Sequence, residues 1–214
     1  MTQCLFSRRS RSVGVCSAIA AMSAGLAAMS AGLAASPALA GTTQSGQAPC
    51  SPPDLSQPFL SAGDANWYML TPGQTVDNFD AGGWTLSGGA RIVTTQLADG
   101  QTGDVLDLPS GSNAVSPTMC VQSGFQAART MVRDVTGAEG VSFSVSYDGT
   151  NTAENPQNTG QVNGNRTDWT LSNPVNVQPS NRPGWQHVRF TFIPGGNSSD
   201  FQIYNFWVDP RMSH

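Results

Sequence analysis

No lysine occurs anywhere in this chain, and glutamate occurs only at Glu139 and Glu154. These two residue types supply much of the exposed face of ordinary helices, so a chain without them has little with which to build a solvent-facing helix. Gly, Ser, Thr, Asn, Gln and Pro stand in their place, the residues of turns and strand rims. The fold class this predicts is all-β with very little helix.

Strand periodicity agrees. Val141, Phe143, Val145 and Tyr147 alternate with Ser142, Ser144 and Ser146, the two-residue period of a half-buried antiparallel strand. Gln186 to Phe192 repeats the pattern, with Val188, Phe190 and Phe192 inward and His187, Arg189 and Thr191 outward. Phe201 to Val208 is apolar on both faces, as a covered central strand would be. Strict alternation there puts Tyr204, Phe206 and Val208 on one face and Phe201, Ile203 and Trp207 on the other. Glycine pairs at 82–83 and 88–89 bound further short strands. About eight to ten such strands predict an antiparallel β-sandwich of jelly-roll type, with an eight-stranded barrel as the alternative.

Residues 1–40 are read as an export signal. Arg8, Arg9 and Arg11 precede an apolar, alanine-rich run, and Ala38-Leu39-Ala40 has the small-x-small form of a cleavage site. General secretion is favoured over the twin-arginine route, because Ser10, Arg11 and Ser12 follow the arginine pair where bulky apolar residues are preferred. The expectation is a secreted, extracellular protein with no stable membrane insertion after cleavage. Residues 41–58 read as an irregular Pro/Ser/Gln-rich arm tied down only at Cys50, and residues 59–214 as a single domain. Beyond residue 40, seven arginines face fourteen acidic residues, a formal charge of −7 that disfavours nucleic acid and anionic lipid. The same region holds two cysteines, Cys50 and Cys120, which in an oxidising compartment are expected to be bridged. With only His187 and His214 beside them, the spaced ligand set that zinc usually requires is missing from the sequence.

The elements Gly83 to Ala90, Gly184 to Phe190 and Phe201 to Asp209 resemble the early strand and two closing strands of secreted bacterial β-sandwich modules of the galactose-binding and carbohydrate-binding kind. That resemblance implies a glycan ligand bound through aromatic side chains, and a structural calcium. Asp64, Asp77, Asp80 and Asp209, near expected strand ends, are the candidate calcium ligands, with turn capping the favoured alternative and no other cofactor expected.

Catalytic patterns are missing. His187 sits mid-strand with no nucleophile elbow in the chain, and two glutamates cannot supply the close Glu-x-Asp-x-x-Glu arrangement of sandwich-fold glucanases. The expected function is therefore a non-catalytic secreted binding module for carbohydrate. The alternatives are a structural or surface-assembly sandwich that packs on copies of itself, and a polysaccharide hydrolase or lyase. The expected ligand site starts from the asparagine-rich stretch 148–184, where amides can pair with sugar hydroxyls and an aromatic ring can meet the C–H face of a sugar. It comprises Trp169, Asn165, Asn173 and Trp185, with Tyr147 and Arg189 from neighbouring strands. Core burial of Trp169 is the competing reading. Arg129 and Arg133 share a strand face, and with Arg189 they could hold a carboxylated sugar, whereas pairing with Asp107 or Asp134 is favoured.

Overall fold

The alternating segments become the centres of two antiparallel sheets. The computed structural model describes residues 49–50, 53–122, 127–137, 140–149, 156–164 and 167–209, all within one unit spanning Gln44–His214. In chain order the strands are β1 (Met69–Leu70), β2 (Gln74–Thr75), β3 (Asn78–Phe79), β4 (Thr85–Ser87), β5 (Arg91–Gln96), β6 (Thr102–Pro109), β7 (Asn113–Val115) and β8 (Met119–Val121). There follow β9 (Ala127–Thr136), β10 (Val141–Tyr147), β11 (Gln157–Val162), β12 (Thr170–Leu171), β13 (Val175–Asn176), β14 (Gln186–Pro194) and β15 (Asp200–Val208). The first sheet runs β12-β9-β15-β6-β5, with β1 added on β15 and β13 on β9. The second runs β11-β10-β14-β7-β4, with β8 added on β14, and β2 pairs with β3 as a small hairpin. Helix among the described residues amounts to one 3₁₀ turn, Leu60–Ala62, and none is long and apolar enough to cross a membrane.

The two sheets pack face to face. β10 and β14 send Val141, Phe143, Val145, Val188, Phe190 and Phe192 inward, where they meet Leu106, Leu108, Val132, Phe201 and Ile203 of the first sheet. Phe206 sits at the junction, its ring 5.8 Å from Phe143, 5.5 Å from Phe190 and 5.0 Å from Phe192, in tilted or edge-to-face contacts. Trp84 closes one end by stacking on Phe192, and its Nε1 donates to the Pro72 carbonyl at 2.8 Å.

β15 departs from strict alternation. Its register against β9 slips between Tyr204 and Trp207, and Asn205 takes φ 53, the left-handed region that asparagine tolerates better than other residues with a Cβ. This bulge reverses the order of the faces. Phe201, Ile203, Phe206 and Val208 all turn into the core, while Tyr204 and Trp207 turn outward. Side chains and one backbone amide then replace the lost ladder bonds. Phe206 N donates to Gln74 Oε1 at 3.2 Å, its carbonyl accepts from Thr71 N at 3.1 Å and Gln74 Nε2 at 3.1 Å, and the Tyr204 carbonyl accepts from Thr130 Oγ1 at 2.8 Å. Asn205 and Asp77 clamp each other: Asp77 N donates to Asn205 Oδ1 at 2.9 Å and Asn205 Nδ2 donates to Asp77 Oδ1 at 2.8 Å.

The arm has a second tie. Cys50 and Cys120 form the expected disulfide, and Ser56 also makes a bridge with Tyr68, donating at 2.9 Å and accepting at 2.8 Å. The expectation of a single tie at Cys50 is thus corrected, because Ser56 can use backbone groups that a proline could not fully supply.

Phe206→Ala should destabilise by about 3–5 kcal/mol in denaturant unfolding, the cost of emptying a core aromatic position. Asn205→Ala, which loses the Asp77 clamp and strains the left-handed position, should cost about 1–3 kcal/mol in the same measurement.

Candidate functional site

The bulge decides what the outer face of the first sheet carries. Tyr204 joins Leu97, Val105, Val93, Met131 and Trp169 in one small cluster, and Trp207 joins Phe59, Tyr68, Leu70 and Leu171 in another. A groove of about 720 Å³ is bordered by members of both clusters. Phe59, Met131, Leu171 and Trp207 give it apolar walls, and Asp77, Asp99, Asn205 and Tyr204 contribute polar groups.

Local structure holds each wall. The 3₁₀ turn that carries Phe59, Ser61 and Ala62 ends at Gly63, and Asp64 fastens it to the sheet. Asp64 Oδ2 accepts from Tyr68 Oη and from Arg129 Nη1, each at 2.8 Å, while its Oδ1 accepts from Asn66 N at 3.0 Å. Arg129 also donates from Nε to the Ser172 carbonyl at 3.0 Å and lies 5.4 Å from the Phe59 ring centroid. Burial pushes the Asp64 carboxyl up, but the hydrogen bonds from Arg129, Tyr68 and Asn66 outweigh it and hold the carboxyl below its ordinary value. On the opposite wall, the β5–β6 turn presents Ala98 and Asp99, pinned by Leu97 N donating to the Gln101 carbonyl at 2.8 Å.

The Tyr204 hydroxyl is fixed at the floor of the groove. Its Oη accepts from Ala98 N at 3.2 Å, which leaves the hydroxyl hydrogen to point elsewhere. Burial raises its pKa, and the charges of Asp77 and Asp99 raise it further, so the hydroxyl stays protonated.

The expected site residues are not gathered in one place. Trp169 lies on the outer face of the first sheet, half-buried, edge-to-face on Tyr204 at 4.7 Å, with Nε1 donating to the Gln96 carbonyl at 2.8 Å and the Arg133 guanidinium 4.6 Å from its ring centroid. It therefore braces a groove-lining residue. Tyr147 is a core residue, 2% exposed, because the β10 alternation points it inward; its hydroxyl donates to Gln178 and accepts from Ser180 N at 3.0 Å. Arg189 is on the outer face of the second sheet, across the sandwich from Trp169, donating from Nε to Asp148 Oδ1 at 2.8 Å. Asn173 is exposed just after β12, Trp185 is half-buried just before β14, and Asn165 lies outside the described residues. Grouping Tyr147 and Arg189 with Trp169 is thus corrected: strand alternation sends these three to the core and to two opposite faces.

The four candidate calcium ligands are also dispersed. Asp64 is filled by its three donors, Asp77 is clamped to Asn205, Asp80 Oδ1 accepts from Gly82 N at 2.7 Å in a turn, and Asp209 is fully buried at the end of β15. Among the described residues no three of them converge. What sequence reading missed is the groove itself, whose Phe59, Asp99 and Trp207 are far apart in the chain. The one local signal was the exceptional density of aromatic residues in β15.

No family model matches the sequence, and no curated protein matches it. Among solved structures, the xylan-binding domain of carbohydrate-binding module family 22 is 15% identical with a TM-score of 0.46, covering 71% of this chain and 99% of that one. A family 61 module in complex with β-1,4-galactotriose is 13% identical with a TM-score of 0.42, covering 68% of this chain and 99% of that one. The module pair of Clostridium thermocellum endo-1,4-β-D-xylanase 10B in complex with xylohexaose is 17% identical with a TM-score of 0.43, covering 66% of this chain. This chain spans 28% of that protein's length. Two of these are carbohydrate-binding modules alone, and the third joins such a module to a xylanase module.

Asp64 generates a test with a definite sign. Its depressed pKa gives stability that is present above about pH 4, the ordinary range of an aspartate, and is lost as pH falls through the lower folded value. Asp64→Asn should therefore be less stable than wild type at pH 7 and lose less on acidification from pH 5 to 2, as read by urea midpoints.

Proposed function

We propose that this protein is a non-catalytic carbohydrate-binding module that takes a neutral glycan in the groove on the outer face of the first sheet. One observation carries the reading: apolar and aromatic walls stand beside polar groups of both hydrogen-bonding senses in a groove of about 720 Å³. A sugar ring has an apolar C–H side and a rim of hydroxyls, and this combination meets both. Phe59 and Trp207, each 7% exposed, would meet the sugar with a narrow strip of aromatic surface; Asp77 and Asp99 would accept from hydroxyls, and the Tyr204 hydroxyl lies at the floor. The charged side chains lining it are both aspartates, which selects against uronic acids and sulfated sugars. Export by general secretion would place such a module where polysaccharides are met.

Ala98 is an exposed lining residue on a turn, so Ala98→Trp should fill the groove without disturbing the core. Wild-type protein should be retained on an insoluble neutral polysaccharide, Ala98→Trp should lose retention at unchanged melting temperature, and Asp99→Ala should weaken it. A wild type that binds nothing on a broad neutral-glycan array, or an Ala98→Trp variant that binds as well as wild type, would defeat the proposal.

A further inference from the structure

Strand pairing places His187 of β14 directly across from Cys120 of β8. The arm brings Cys50 to the same spot, with its Sγ 3.6 Å from His187 Nε2. One ligand atom from each of Cys50, Cys120 and His187 lies within 4.8 Å of the other two, and all three residues are half-buried. Two come from adjacent strands and the third from outside both sheets, so no spacing in the sequence announces the trio.

We propose that in the reduced chain these side chains form a zinc site, with two thiolates, one imidazole and a fourth position open to solvent, and that closing the Cys50–Cys120 bridge abolishes it. Zinc bonds of about 2.0 Å to nitrogen and about 2.3 Å to sulfur, at tetrahedral angles, put a ligand nitrogen about 3.5 Å from a ligand sulfur. His187 and Cys50 already stand at that separation. Cross-strand register fixes His187 and Cys120, and because Cys50 is in no strand, its sulfur can part from that of Cys120 without breaking a ladder. Opening the bridge requires two electrons and two protons; a phosphine supplies the electrons, and water supplies the protons and the oxygen that leaves on the phosphine oxide. Zinc then displaces both thiol protons while neutral His187 contributes its lone pair, releasing two protons for each metal bound.

The test uses the full chain carrying Cys4→Ser and Cys16→Ser, reduced with a water-soluble phosphine and titrated with cobalt(II) as a spectroscopic probe, with zinc in competition. One equivalent should give thiolate-to-cobalt charge-transfer absorption in the near ultraviolet and tetrahedral bands in the visible, both bleached by zinc. His187→Ala should weaken cobalt binding by about 100-fold or more, since even the loss of an outer-shell partner commonly costs about 10- to 100-fold. The oxidised protein should show none of these bands. Should the reduced chain lose its fold, zinc should restore the near-ultraviolet dichroism of the oxidised protein in wild type and fail to do so in His187→Ala. Missing charge-transfer bands in the reduced protein, or equal cobalt affinity in His187→Ala, would overturn the site.

Discussion

The placement of Tyr204 and Trp207 on the outer face of the first sheet, and with it the groove, depends on the single extra residue at Asn205. Without the bulge, β15 would present Trp207 to the core and Phe206 to solvent, and the aromatic junction with Phe143, Phe190 and Phe192 would have no ring from the opposite sheet. With it, the strand meets two packing demands that a strict two-residue period cannot satisfy together. The cost is a set of backbone groups removed from the ladder, and these are met by Thr71, Gln74 and Thr130. Asn205 is suited to the position twice over, by tolerating a positive φ and by clamping Asp77.

That clamp links fold to site. Asp77 lines the groove, and it is held there by the same residue whose conformation turns Trp207 outward. The β2–β3 hairpin on which Asp77 sits has little core of its own beyond Phe79, so its position comes largely from the bonds that repair the bulge. A site built this way inherits the rigidity of the central strand.

The fold class was legible because it follows from local periodicity and composition: serine alternation in β10, the Val-Phe-Phe face of β14 and the glycine-bounded short strands β4 and β5 all reappear, although β4 and β5 go to different sheets and do not pair as a hairpin. The bulge was not, because a strand apolar on both faces gives alternation nothing to test against. The groove was illegible for a different reason. Its walls come from the turn at Phe59, the hairpin at Asp77, the turn at Asp99 and the edge strand at Leu171, segments joined only by the fold. Tyr147, expected to contact the glycan, is instead a core residue whose hydroxyl is taken up by Gln178 and Ser180 N.

The arginines give the last step. An anionic ligand needs a guanidinium with donors to spare, and the sequence offered Arg129, Arg133 and Arg189 as a cluster. Alternation puts Arg129 and Arg133 on one outer face and Arg189 on the other, so the three cannot close on one carboxylate. Each is also engaged: Arg129 with Asp64 and the Ser172 carbonyl, Arg133 with Gln202 and Thr95 beneath the Trp169 ring, Arg189 with Asp148. Gln202 in turn donates to buried Asp107, whose counter-ion is Arg91. Arginine–carboxylate pairing was thus expected correctly in kind, but Arg129 and Arg189 take Asp64 and Asp148 where Asp107 or Asp134 was expected. Arg129 and Arg133 brace residues of the groove walls while Asp77 and Asp99 line the groove itself, an arrangement whose field opposes an anionic ligand.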